Sequence, residues 1–287
     1  MSDVLSGYCG DGISCELSER ILTITLDRPH VLNAFSYPML NALLRAFTMA
    51  EENPDVGAII VTGSGRAFSA GTDISASPDG FERQESNGHA GRDPGGMITL
   101  KMFRSSKPII AAVNGPAVGF GSTLVLPMDM RFASRDAYFC YIFTRRGLMP
   151  EACSTWFLPR VVGITKAMDW TLSGRKVTAR EAAEAGLLAE IVAGDKLIAR
   201  AREAARGLIQ STSPTSLAVV RRAMWSMLAA GGPEAAHVLE SEGLNLLRAS
   251  ADFREGVASF REKRAPVFRT TPDAAITAHT DRLIGEL

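Results

Sequence analysis

The chain has 287 residues, 46% of them hydrophobic and 22% charged, and its 31 Lys and Arg balance its 31 Asp and Glu. That is an ordinary globular composition, long enough for a sizeable core; the lack of basic excess argues against nucleic acid, and no apolar run reaches membrane-spanning length. Cys9, Cys15, Cys140 and Cys153 have neither metal-ligand spacing nor the density of a disulfide scaffold, and Met1 to Gly12 lack the regions of a signal peptide, so reduced thiols, no metal and a cytoplasmic protein are expected.

Ile13 to Leu17 and Ile21 to Leu26 alternate apolar and polar residues around Ser18-Glu19-Arg20, a hairpin pattern. Tyr37 to Glu52 carries Met39, Leu40, Leu43, Leu44 and Phe47 at helical spacing. Ala58-Ile59-Ile60-Val61-Thr62-Gly63 then reads as a buried strand entering a glycine-rich turn, Gly65 to Asp73. From Ser75 to Gly96 the composition reads as a surface loop, and Met97 to Arg104 resumes a helix. Pro108 to Val113 is a second buried strand entering a second glycine-rich turn, Asn114 to Gly121. Alternating helices and strands follow, which indicates an α/β core. After Lys196 only helical patterns remain: Leu197 to Ile209, Pro214 to Ala230, Glu234 to Ala249 and Asp252 to Lys263.

A helix starting just after each glycine turn would leave its first backbone N–H groups without intrahelical partners. Two such turns facing each other would aim two free donors at one oxygen, which is an oxyanion hole. Neither turn reads Gly-Xaa-Gly-Xaa-Xaa-Gly with an acid about twenty residues on, so a dinucleotide site is disfavoured.

Phe68-Ser69-Ala70-Gly71-Thr72-Asp73 and Asn114-Gly115-Pro116-Ala117-Val118-Gly119-Phe120-Gly121 resemble the two oxyanion segments of the crotonase family, the enoyl-CoA hydratase/isomerase superfamily. Leu26-Asp27-Arg28-Pro29 with Leu32-Asn33-Ala34 is similar to its N-terminal signature, and Thr171 to Arg175 with Ala179 to Ala182 and Ala185-Gly186-Leu187 to its middle. Glu255 to Arg264 is similar to its C-terminal helix. The matches keep the family's order from about Ile21 to Phe268.

The resemblance implies a crotonase (ClpP/crotonase-like) ββα-superhelix core over residues 1–196, a helical trimerisation region over 197–268, and an extension of unassigned role over 269–287. It implies an acyl-CoA substrate and a homotrimer or hexamer. No resident cofactor is implied, because coenzyme A arrives as part of the substrate. The donors are implied to be the amides of Thr72 and Phe120, with coenzyme A held by Arg28, the backbone of Ser69, Ala70, Gly71, Asp73 and Ile74, and Phe260 and Lys263. Core packing is the competing reading of Phe260, and capping a helix after the first turn that of Asp73.

Hydratases of the family carry two glutamates, which would fall at Thr123 and Phe143 here. Neither residue moves a proton, so hydration by that pair is not expected. Glu151, in Met149-Pro150-Glu151-Ala152, resembles the position of the single catalytic glutamate of Δ3,Δ2-enoyl-CoA isomerases. Its residues also fit a helix opening, with Pro first and an acid in the first turn. Isomerisation with Glu151 as the single base is the favoured reaction. Hydration through a different acid and a non-catalytic acyl-CoA-binding protein are the alternatives. His30, the Arg145-Arg146 pair and Cys153 lie near these motifs, and a packed inert thiol is the better reading of Cys153.

Overall fold

Strand β1 (Ile13–Ser18) turns through Glu19 and Arg20, both at positive φ, and pairs antiparallel with β2 (Ile21–Leu26), setting Ile13 opposite Leu26. The computed structural model describes residues 10–75 and 92–287. Strands β3 (Ala58–Gly63), β4 (Ile109–Val113), β5 (Ala117–Val118), β6 (Met130–Ser134), β7 (Tyr138–Cys140), β8 (Lys176–Thr178) and β9 (Glu190–Val192) follow. Among the described residues they form one sheet in the order β1-β2-β3-β4-β6-β9, parallel from β2 onward, and a smaller sheet in the order β5-β7-β8.

Side chains alternate across the large sheet, so β3 and β4 divide between two cores. Ile59, Val61, Ile109, Ala111 and Val113 face the larger one, beside helix α1 (Tyr37–Glu52). Ala58, Ile60, Ile110 and Ala112 face the other, which Leu197, Ala201 and Ala205 close. Burial on both faces explains why these strands read as continuous apolar runs.

The helices continue as α2 (Pro94–Phe103), α3 (Phe120–Leu124), α4 (Ser154–Val162), α5 (Ile164–Ser173) and α6 (Ala179–Glu184). After Lys196 come α7 (Leu197–Ser211), α8 (Pro214–Met227), α9 (Pro233–Ala249), α10 (Ala251–Glu262) and α11 (Ala274–Glu286). The helical reading of this part holds to within a few residues. Helix α11, in the unassigned extension, packs on α8 and α9, with Ile276 and Thr280 buried.

Three sequence expectations are corrected. Helix α2 starts at Pro94 rather than Met97, because Asp93 caps it, accepting from Gly95 N at 2.9 Å and Gly96 N at 2.8 Å. Helix α4 starts at Ser154 rather than Pro150, since Ala152 and Cys153 both take left-handed φ near +57°. Among the described residues no helix follows the first glycine turn before residue 76. Residues 76–91 of the expected loop lie outside the described residues.

Candidate active site

Two asparagines, Asn33 and the half-buried Asn114, hold the glycine turns in place. Asn33 is fully buried; its Nδ2 donates to Ser64 O at 2.8 Å and Ala67 O at 2.9 Å, and its Oδ1 accepts from Arg28 N at 2.9 Å. Asn114 accepts from Gly63 N at 3.0 Å and donates to Gly65 O at 3.0 Å. The two turns then pair like short parallel strands: Ser69 N donates to Pro116 O at 3.0 Å and Val118 N to Ser69 O at 2.9 Å. Ser69 Oγ donates to Asn33 O at 2.8 Å and accepts from Gly71 N at 3.0 Å.

Gly71 and Gly119 touch where the turns meet. Gly71 sits at φ +92°, and a Cβ on it would stand 2.7 Å from Val118 O and 3.5 Å from Gly119 Cα. Gly119 takes φ +54° and ψ −122°, backbone that only glycine adopts readily. The amides after these glycines belong to Thr72 and Phe120, and neither donates to another group among the described residues.

The two amides are left open for different reasons. Phe120 begins helix α3, so its N–H has no carbonyl one turn earlier to reach. Thr72 instead bridges Phe35 as a strand would: Phe35 N donates to Gly71 O at 2.7 Å, and Asp73 N to Phe35 O at 2.9 Å. A parallel bridge engages the residues on either side, and the N–H of Thr72 points away. Phe35 also meets Phe120, ring centroids 4.7 Å apart and edge to face.

Glu151 stands beside this pair of turns. A methyl group on Gly95 would lie 2.7 Å from Glu151 Oε2 and 2.7 Å from Phe120 Cε2, so the carboxyl and the ring both pack against Gly95. Thr123 Oγ1 lies 3.1 Å from Glu151 Oε1. Burial pushes the Glu151 carboxyl up to about 8; the Asp93 charge and a hydrogen bond to Asp93 add to this, and the Thr123 hydroxyl opposes it. With α4 starting at Ser154, Glu151 is not an opening-turn helix residue.

The remaining expected residues divide. Arg28 Nη1 donates to Ala34 O at 2.7 Å and pairs with Asp73 Oδ2 at 3.1 Å. Asp73 caps no helix among the described residues; its carboxylate accepts from the Ser75 hydroxyl at 2.6 Å, which with Arg28 holds it below its ordinary range. Ala70 N donates to Leu32 O at 2.9 Å, and Ile74 is exposed. Phe260 is 85% exposed on α10, so it is no core residue, and Lys263 is exposed with left-handed φ just past that helix. Cys140 and Cys153 are free thiols, and Phe143 is buried.

The family model for enoyl-CoA hydratase/isomerase matches residues 16–271. The chain belongs to the enoyl-CoA hydratase/isomerase, or crotonase, family. It is 39% identical over 256 residues to a probable enoyl-CoA hydratase of Rhodobacter capsulatus, covering 89% of this chain and 97% of that protein. It is 33% identical over 258 residues to the 1,2-epoxyphenylacetyl-CoA isomerase of Escherichia coli, again covering 89% and 97%. A solved enoyl-CoA hydratase from Bacillus anthracis superposes with TM-score 0.81 at 29% identity, covering 91% of this chain and 100% of that one. The crotonase fold and an acyl-CoA chemistry are therefore established for this member of the family.

Sequence reasoning missed Asp93, Gly95 and Phe35. The run Asp93-Pro94-Gly95-Gly96 does carry a signal, a capping residue before a first-position proline, but its glycines resemble loop. Among the described residues no group of three or more His, Cys, Asp or Glu is gathered as a metal site, and no helix is long and apolar enough to cross a membrane.

Proposed function

We propose that this crotonase-family member shifts a double bond in an acyl-CoA thioester, converting a 3-enoyl-CoA to a 2-enoyl-CoA, with Glu151 as the single base. The observation that carries the reading is the Glu151 carboxyl packed with the Phe120 ring against Gly95, the Phe120 amide being open beside the Gly71–Gly119 contact.

The thioester oxygen accepts from the N–H groups of Thr72 and Phe120. Ionised Glu151 takes a proton from C2, the electron pair moves onto that oxygen as a dienolate, and the protonated Glu151 returns the proton to C4. Fixed backbone dipoles stabilise the developing charge without reorganising. Coenzyme A lies along the backbone from Ala70 to Ile74. Arg28 offers it Nε and Nη2, which donate to no group among the described residues. Ser69 holds the turn from beneath, since its N–H, carbonyl and hydroxyl are all engaged. Phe260 and Lys263, exposed on this chain, contact the nucleotide of a neighbouring subunit in a homotrimer or a hexamer of two trimers. Val220, Met224 and Leu228, exposed four residues apart along α8, supply an apolar face for that assembly. Light scattering that gives the mass of one chain would remove the assembly from the reading.

Hydration of a 2-enoyl-CoA is the second reading, favoured by the likeness to the probable enoyl-CoA hydratase of Rhodobacter capsulatus and by a second carboxylate, Asp93, beside Glu151. Offering purified protein 3-hexenoyl-CoA and 2-hexenoyl-CoA separately, with products identified by mass, separates the two: isomerisation leaves the mass unchanged and hydration adds one water. Replacing Glu151 by Gln should lower turnover by about 10²- to 10⁴-fold with the fold intact. Near-full isomerase activity in that variant would end the assignment of the base.

A further inference from the structure

Asp93 is tied to more than its own helix. Besides capping α2 through Gly95 N and Gly96 N, its Oδ2 accepts from Ala152 N at 2.7 Å. That third bond joins the start of α2 to the residue directly after Glu151. The Asp93 carboxyl is near enough to Glu151 to help push the Glu151 carboxyl up. All three amide bonds are of the kind an ionised carboxylate accepts, and both Asp93 oxygens are occupied by them.

The packing that allows this approach depends on two glycines. A methyl group on Gly95 would stand 2.7 Å from Glu151 Oε2, and one on Gly96 would stand 3.2 Å from Asp93 Oδ2. Side chains there would push the two carboxyls apart. The other groups facing Glu151 are the Thr123 hydroxyl from α3 and, on its own turn, Cys153, whose Sγ lies 3.8 Å from a methyl on Gly96. No Lys, Arg or His among the described residues acts on Glu151 to offset the Asp93 charge.

We propose that Asp93 is a positioning residue for the base: an anion pinned by three amides, it holds a proton on Glu151 that is released to solvent as the pH rises, leaving the ionised base for catalysis. This rests on Glu151 being the base and adds what sets its protonation state. Two carboxylates this close cannot both ionise freely, and the one without amide donors takes the proton. The Glu151 carboxyl, pushed up to about 8, is consistent with that order. The enzyme is then a poor base in mildly acidic solution and becomes competent as pH rises.

The test measures exchange of the C2 protons of butyryl-CoA in D2O against pH, because a saturated thioester reports proton abstraction whichever overall reaction the enzyme performs. Asp93→Asn keeps an acceptor oxygen for the cap while removing the charge, and Asp93→Ser is a second variant that can still cap α2. In the native protein exchange should be half-maximal near pH 8. In both variants that midpoint should fall by about one pH unit or more, making exchange below pH 6 roughly tenfold faster than native. An unchanged midpoint, or a uniform slowing at every pH, would overturn the proposal by reducing Asp93 to a helix cap.

Glu151→Gln separates the two claims. If it exchanges as fast as native, the base assignment fails. If it abolishes exchange while Asp93→Asn leaves the midpoint in place, only the role of Asp93 fails. An infrared carboxyl titration of the intact protein reads the same quantity without turnover. A protonated carboxyl band at pH 7, absent in Glu151→Gln and titrating at lower pH in Asp93→Asn, is expected. A native protein without that band refutes the proposal.

Discussion

Thr123 Oγ1 lies 3.1 Å from Glu151 Oε1 and 3.2 Å from the carbonyl oxygen of Phe120. A hydroxyl has one hydrogen to give, and here it has two acceptors. When Glu151 is ionised the hydrogen belongs on the carboxylate; when Glu151 is protonated it turns to Phe120 O. Thr123 is thereby a partner that follows the charge of Glu151.

Thr123→Val keeps the shape and removes that donor. A hydrogen bond to a charged group contributes about 1.5–3 kcal/mol, so kcat/KM near pH 7 is expected to fall roughly tenfold or more. The pH midpoint of activity should move upward, opposite to the shift in Asp93→Asn. Pre-equilibrated pH–rate profiles of the two variants check both signs.

Glu151 also links stability to pH. Its folded carboxyl titrates at about 8 against an ordinary 4.5, so the folded state holds the extra proton between those values. Its contribution is complete below pH 4.5 and is lost as pH rises through 8. Each unit in that window costs up to about 1.4 kcal/mol. Glu151→Gln carries no proton to lose, so its stability relative to native should be near parity at pH 5 and grow towards pH 8. Urea melts at both pH values measure the difference.

Gly119→Ala introduces a Cβ where φ is +54° and ψ is −122°. The strain is about 1–3 kcal/mol, and any relief rotates the peptide that carries the Phe120 amide. Misaiming one donor should lower kcat by about 10²- to 10³-fold, with a lowered thermal midpoint. Unchanged kcat in a folded variant would argue that the Phe120 amide is not a donor to the reacting oxygen.

Helix α11 caps its own start through Asp273, which accepts from Ala275 N at 3.1 Å, and pairs Asp281 with Arg222 of α8. Deleting residues 272–287 uncovers the site where Ile276 and Thr280 are buried. The expected loss is about 2 kcal/mol, on the scale of one buried aliphatic side chain, with the pH midpoint of activity unmoved. Chemical denaturation and the pH–rate profile read the two parts separately.

The chain made the sheet and the glycine turns legible because local rules governed them. Continuous β-branched runs at β3 and β4 announce strands buried on two faces, and Gly71 and Gly119 occupy backbone angles that few residues share. Glu151 was readable as a candidate from its motif, but its setting was not. Asp93 is 58 residues earlier in sequence and reaches it through a cap bond to Ala152. Phe35 joins Thr72 to Phe120 through a backbone bridge and a ring contact that no local pattern encodes. The helix expected at Pro150 failed because Ala152 and Cys153 turn left-handed, a choice made by the docking of that turn on Asp93.

Phe35 has a wider consequence. Its main chain sets the strand that carries Thr72, and its ring packs against Phe120, so one residue gauges both donors. The donors proposed here are main-chain groups, which every substitution but proline leaves in place. Under the proposed mechanism one side chain, Glu151, moves the proton. Such a division lets the proton-moving group change around a stationary anchor, so new reactions can arise by exchanging a few side chains at the site while the part hardest to rebuild is inherited intact.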